Sequence, residues 1–155
     1  MQDLLITGGE VVDGSGAPRR RADIRIRGGR IAEIAPSLAG EGEPVIDAAG
    51  ALVTPGFIDS HTHYDATIYW DPLCDPMPQH GVTTVAIGNC SLGLAPVRRE
   101  DRHSQVDVFS YIEDMPADLL DAAIPWNWQD FASYAAALQA RELGVNLCAF
   151  VGHSQ

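Results

Sequence analysis

The sequence lacks an excess of basic residues, a long apolar run and a signal peptide, which are features of nucleic-acid-binding, membrane and secreted proteins respectively. Among its 155 residues only ten are Lys or Arg, against 21 Asp or Glu, so the formal net charge is -11. That charge repels phosphate, and we therefore predict no nucleic-acid partner. No apolar run approaches the roughly 20 residues that span a bilayer, so no membrane association is expected. The N-terminus also lacks the basic segment and apolar stretch of a signal peptide.

Cysteine is scarce as well. The chain has three cysteines, an odd number, and no CxxC spacing. A disulfide framework is therefore not expected, and the sequence predicts a cytoplasmic protein. What is present is a globular balance, with 46% hydrophobic and 20% charged residues.

The first part of the chain, residues 1–53, consists of short apolar segments separated by glycine turns. Residues 23–27 alternate apolar and charged side chains, as a half-buried strand does, and residues 30–34 follow as a hairpin partner. This pattern predicts a small antiparallel β module.

The pattern changes near Ala51. A nearly continuous apolar segment at residues 51–59, interrupted by Pro55-Gly56, begins this part of the chain. Continuous apolar segments at residues 81–88 and 144–152 are typical of buried parallel strands. Helical spacing predicts a helix over residues 128–143, capped by Asn127, and the charged stretch 98–127 is expected to be a long loop. The predicted class is α/β, with the first βα units of a (β/α)8 barrel. A barrel needs roughly 200 residues, so we expect this sheet to have an exposed edge and bare apolar faces.

Two histidines, His61 and His63, directly follow the first of these apolar segments. Side chains at i and i+2 of a strand share a face, so both imidazoles are expected at the strand's C-terminal end, where barrel enzymes place their active sites. Imidazole is a good zinc ligand. We therefore predict two metal ligands here, and the alternative is a pair of exposed loop histidines.

Cys90 follows the next apolar segment, in the string GNCSLGLAP at residues 88–96. Neighbouring parallel strands end at the same edge of a sheet, so Cys90 can meet the histidine pair. A thiolate beside zinc binds strongly, which makes Cys90 a candidate metal ligand. The alternative is a small buried cysteine in a glycine-rich turn.

Three other residues are candidates for a supporting or substrate-facing role. Asp59 shares the parity of the histidine pair, so it could orient a histidine or cap the strand. Asp65 lies on the following loop and could line the substrate entrance or fix the loop. His153 follows the third apolar segment, where it could be a ligand, support one or face the substrate.

At this point the residues resemble a known family. The string TPGFIDSHTHYD at residues 54–65 resembles the first-strand signature of the amidohydrolase superfamily. Residues 81–96, together with the strings EDMP (113–116), WNW (126–128) and VGH (151–153), are similar to a narrower group, the D-aminoacylases or N-acyl-D-amino-acid deacylases. One departure is Ser91, where that group commonly has glycine.

The resemblance implies a β-sandwich module at residues 1–53 and the first part of an amidohydrolase barrel at residues 54–155. It implies zinc, as one or two ions, with His61, His63 and Cys90 as ligands. The implied reaction hydrolyses a small N-acyl-D-amino acid to a carboxylate and a D-amino acid. No catalytic residue is identifiable in this chain, because the family's catalytic aspartate is expected beyond Gln155.

The expected mechanism is metal-assisted hydrolysis, in which a carboxylate acts as general base and then as general acid. One rival is a cyclic-amide hydrolase of the hydantoinase or dihydroorotase type. The other rival is an inactive fragment or scaffold, and we expect the 155 residues alone to show no turnover.

Overall fold

The computed structural model describes residues 2–152, and the chain divides into two compact units, Met1–Pro55 and Gly56–Gln155. Within the described range the strands are β1 (Leu4–Val11), β2 (Arg20–Arg27), β3 (Arg30–Ala35), β4 (Val45–Asp47), β5 (Leu52–Val53), β6 (Phe57–Asp59), β7 (Val82–Ile87) and β8 (Asn146–Ala149). The α-helices of the same range are α1 (Arg102–Glu113), α2 (Ala117–Ala123) and α3 (Phe131–Gln139). None of its helices is long and apolar enough to cross a membrane.

The first unit contains a five-stranded sheet in the order β3-β2-β1-β4, with β5 also paired to β1. The predicted hairpin of β2 and β3 is confirmed. The prediction of a wholly antiparallel module is wrong, because β4 and β5 both run parallel to β1. The chain crosses from β3 to the far edge of the sheet through residues 36–44, and a connection of that kind allows parallel pairing. The second layer of a β-sandwich stays a prediction.

Gly8 and Gly9 allow β1 to pair with both β4 and β5 along the same side of the strand. The register of β1 against β2 shifts between Ile6 and Gly9, and Gly8 has a φ of +75°. A Cβ atom at Gly9 would lie 2.5 Å from Cγ2 of Val53. Glycine is therefore required where β1 passes from its pairing with β4 to its pairing with β5.

The second unit contains a parallel sheet in the order β6-β7-β8. This arrangement confirms the predicted α/β class, and β7 occupies the residues where the sequence placed a buried strand. The expectation of one strand over residues 51–59 is wrong: β5 pairs in the first sheet and β6 in the second. Pro55 cannot donate a ladder hydrogen bond, and Gly56 approaches Thr83 so closely that a Cβ atom would lie 2.2 Å from its Oγ1.

The expected long loop at residues 98–127 is also wrong, since α1 and α2 occupy much of it. Each helix buries apolar side chains, Val106 and Phe109 from α1 and Leu120 from α2. Burial of these side chains favours the helices despite the charged residues around them, because tertiary packing supplies most helix stability in proteins.

Helix α3 is shorter than the expected helix over residues 128–143. It begins at Phe131 because Asp130 forms a capping box with Ser133, and it ends at Gln139. Asn127 therefore does not cap it. Trp128 precedes the helix and lies in the core of the second unit, where its indole N–H donates to the carbonyl of Leu94 at 2.7 Å.

The core of the second unit lies around β7 and the three helices. In contrast, β6 is an edge strand of the described sheet, with Phe57 59% exposed and Ile58 71% exposed. Phe150 and Val151, just after β8, are exposed too. The predicted exposed edge and bare apolar surface are therefore confirmed for residues 56–152.

Candidate metal centre

His61 and His63 lie on the loop that follows β6, two and four residues beyond its end. Thr62 between them is buried, and both its backbone N–H and its hydroxyl donate to the carbonyl of Ala86 on β7. This contact extends the strand-like alternation past β6, so the two imidazoles share a side opposite Thr62. Their ring centroids are 5.4 Å apart. The predicted convergence is confirmed, although the histidines lie beyond the strand and not within it.

Cys90 lies on the loop after β7, in a tight turn. The backbone N–H of Ser91 donates to the carbonyl of Gly88, and both residues have positive φ, +65° and +75°. The Asn89 side chain donates to the carbonyl of Ser60 at 2.9 Å and so joins this loop to the one that carries the histidines. The cysteine is exposed and free, so the alternative of a buried cysteine is wrong.

The ligand atoms of the three residues converge. The Nε2 atom of His63 lies 3.4 Å from Nε2 of His61 and 3.4 Å from Sγ of Cys90. One ligand atom from each residue falls within 4.8 Å of the other two. Three donors from two neighbouring loops therefore face a common point.

The two separations measured from His63 fit a zinc ion. Nitrogens about 2.05 Å and a sulfur about 2.3 Å from zinc, at tetrahedral angles, would lie about 3.3 Å (N to N) and about 3.6 Å (N to S) apart. The observed 3.4 Å distances are close to both values. The donor set of two imidazoles and a thiolate is also of the kind that zinc prefers. His61, His63 and Cys90 can therefore hold zinc.

A fourth residue, Glu113, reaches the site from α1. Its carboxylate oxygen Oε1 contacts Nδ1 of His63. No sequence pattern predicted this contact of Glu113, because 50 residues separate it from His63. Its spacing from Val106 and Phe109 could have placed it on their helix face, but that helix was not predicted.

Asp59 and Asp65 support the loop that carries the histidines. The Asp59 carboxylate accepts the backbone N–H of His61 at 3.2 Å, which is the capping role and not contact with an imidazole. Asp65 is only 2% exposed, which favours a supporting role over contact with substrate. Burial raises the pKa of Asp65 to about 7, against hydrogen bonds from backbone N–H groups and the proximity of His63. His153 lies outside the described residues.

Known proteins similar to this chain show which family it belongs to. A family model for the amidohydrolase family matches residues 44–154, which is most of the chain. The chain belongs to the amidohydrolase family. Among curated relatives, this amidohydrolase chain is 40% identical over 152 residues to a D-aminoacylase of Alcaligenes xylosoxydans xylosoxydans, covering 98% of this chain and 29% of that protein.

Two solved structures of relatives also match nearly the whole chain. A crystal structure of D-aminoacylase superimposes with a TM-score of 0.77 at 39% identity, over 99% of this chain and 30% of that one. An N-acyl-D-glutamate deacylase from Bordetella bronchiseptica, complexed with zinc and a phosphonate inhibitor, gives a TM-score of 0.77 at 36% identity, over 98% and 30%. The amidohydrolase chain therefore spans about 30% of the length of the relatives it matches.

Proposed function

We propose that His61, His63 and Cys90 bind zinc, as one or two ions, in an enzyme that hydrolyses the linear amide of N-acyl-D-amino acids. The observation that carries this proposal is the convergence of the three ligand atoms within 4.8 Å. The 40% identity to a D-aminoacylase over nearly the whole chain supports the substrate class.

Bound zinc would supply activation of water and polarisation of the amide carbonyl. The chain's own part is to present the donors. His61 and His63 offer ring nitrogens, and Cys90 offers an anionic sulfur that reduces the net charge of the ion. Thr62 donates to the carbonyl of Ala86 on β7, and Asn89 donates to the carbonyl of Ser60. These two hydrogen bonds keep the loops after β6 and β7 next to each other.

Residues 54–155 are proposed as the first βα units of a (β/α)8 barrel, and residues 1–53 as its β module. The parallel order β6-β7-β8 and the location of the donors after β6 and β7 support this arrangement. The general base and the group that binds the substrate carboxylate would come from other parts of the full-length protein. A cytoplasmic location is proposed because all three cysteines are free.

The test is hydrolysis by the zinc-loaded full-length protein of N-acetyl-D-methionine, its L-enantiomer and a hydantoin. We expect turnover of the D-substrate alone, lost on chelation and in His61→Ala. His80→Ala, which removes an exposed histidine outside the donor cluster, is the matched control and should keep activity. Turnover of the hydantoin alone would support the cyclic-amide rival, and no turnover of any amide would contradict the proposal.

A further inference from the structure

Glu113 places a partly buried carboxylate at the end of α1, where it does not stabilise the helix. It is the last residue of α1, and its side chain is only 16% exposed. The C-terminal end of a helix carries a partial negative charge, so a carboxylate there is unfavourable. Partial burial adds a desolvation cost for the ionised group. A carboxylate kept in this place needs a compensating partner.

The helix itself directs Glu113 inward. Val106 and Phe109 are fully buried members of the core, and Glu113 follows Phe109 by four residues. Residues three and four apart share a helix face, so Glu113 continues the buried face of α1. Two apolar anchors therefore fix the direction in which the carboxylate points.

The partner of Glu113 is one nitrogen of His63. A carboxylate oxygen accepts hydrogen bonds, so the contact between Oε1 and Nδ1 favours the tautomer in which Nδ1 carries the imidazole proton. Nε2 then keeps its lone pair, and it is Nε2 that lies 3.4 Å from both His61 Nε2 and Cys90 Sγ. Glu113 is not itself part of the converging donor group within the described residues.

We propose that Glu113 is a positioning residue that fixes the tautomer and orientation of His63 for zinc. The inference rests on the proposed function. Carboxylates that accept from the non-ligating nitrogen of a metal-binding histidine raise its basicity and hold its ring, and their loss weakens metal binding about 10- to 100-fold. Glu113 thereby connects α1 to a metal centre otherwise built from the loops after β6 and β7.

The experiment measures the zinc dissociation constant of the full-length protein by competition with a chromogenic chelator. We expect Glu113→Ala to weaken binding about 10- to 100-fold, while Glu113→Gln, which keeps an acceptor oxygen, loses less. Asp107→Ala removes an exposed carboxylate from the same helix and should bind zinc as the parent does. The midpoint temperature of thermal unfolding of the metal-free protein should not be lower in Glu113→Ala than in the parent. The reason is that the removed carboxylate is unfavourable at the C-terminal end of the helix.

Three results would overturn the inference, and they are distinguishable. Parental zinc affinity in Glu113→Ala would refute the positioning role alone. A loss of affinity matched by a loss of stability in the metal-free protein would assign Glu113 a merely structural role. Absence of zinc binding by the parent protein would refute the proposed function and this inference with it.

Discussion

Trp128 offers a direct test of how the core holds the loop that carries Cys90. The indole is 1% exposed, packs against Tyr69 and Tyr134 with ring centroids 5.8 Å and 4.9 Å away, and donates to the Leu94 carbonyl. Leu94 is itself buried and lies in the segment that follows Cys90. The perturbation we choose is Trp128→Phe, which keeps an aromatic ring but removes the donor.

The expected cost has two parts. Loss of the indole N–H leaves the buried Leu94 carbonyl without its partner, which costs about 1–3 kcal/mol. The smaller ring leaves a cavity and lost contacts that cost about 1 kcal/mol. We therefore expect the free energy of unfolding to fall by about 2–4 kcal/mol.

Urea unfolding of the full-length protein measures this loss. Trp70→Phe is the matched control, because Trp70 is 38% exposed and the described contacts include no hydrogen bond from its indole. The control should change stability by no more than about 0.5 kcal/mol. A loss below about 1 kcal/mol in Trp128→Phe would show that the indole hydrogen bond does not anchor this segment.

Two further predictions concern charged groups that are not part of the donor cluster. Asp130→Ala removes the capping box with Ser133 and should cost about 1 kcal/mol in urea unfolding; an unchanged midpoint would contradict the cap. A hydrogen bond from its own backbone N–H, then one from Arg25, lowers the pKa of Glu43 from 4.5 to about 2. The ionised carboxylate therefore stabilises the fold above about pH 4.5, and this contribution is lost as the pH falls through about 2. In Glu43→Gln, the free energy of unfolding should depend less steeply on pH over that range. An unchanged slope would refute this.

Sequence patterns were most informative where one local feature decides the structure. The β-branched, glycine-bounded run at residues 82–87 is a parallel strand, as predicted, but only its last three residues are buried and Thr83 is exposed. The convergence of His61, His63 and Cys90 also followed from local rules, because parallel strands end at one edge and alternate side chains share a face.

Patterns failed where tertiary contacts decide. Helix α1 has a mixed polar and charged sequence without a long apolar run, and it is the burial of Val106 and Phe109 that stabilises it. The start of α3 was placed at Trp128 from apolar spacing, whereas the Asp130–Ser133 capping box fixes it at Phe131. Glu113 was missed because its contact with His63 depends on the course of α1, which local sequence does not reveal.

The central claim is that Cys90 completes a zinc site with the two histidines. The most direct measurement is the zinc content of purified full-length Cys90→Ala, with Cys148→Ala, which removes another exposed free cysteine, as the matched control. Our account predicts that Cys90→Ala loses most of its zinc, because only the two imidazoles of the cluster remain, while Cys148→Ala keeps the parental amount. Parental zinc content in Cys90→Ala would contradict the account.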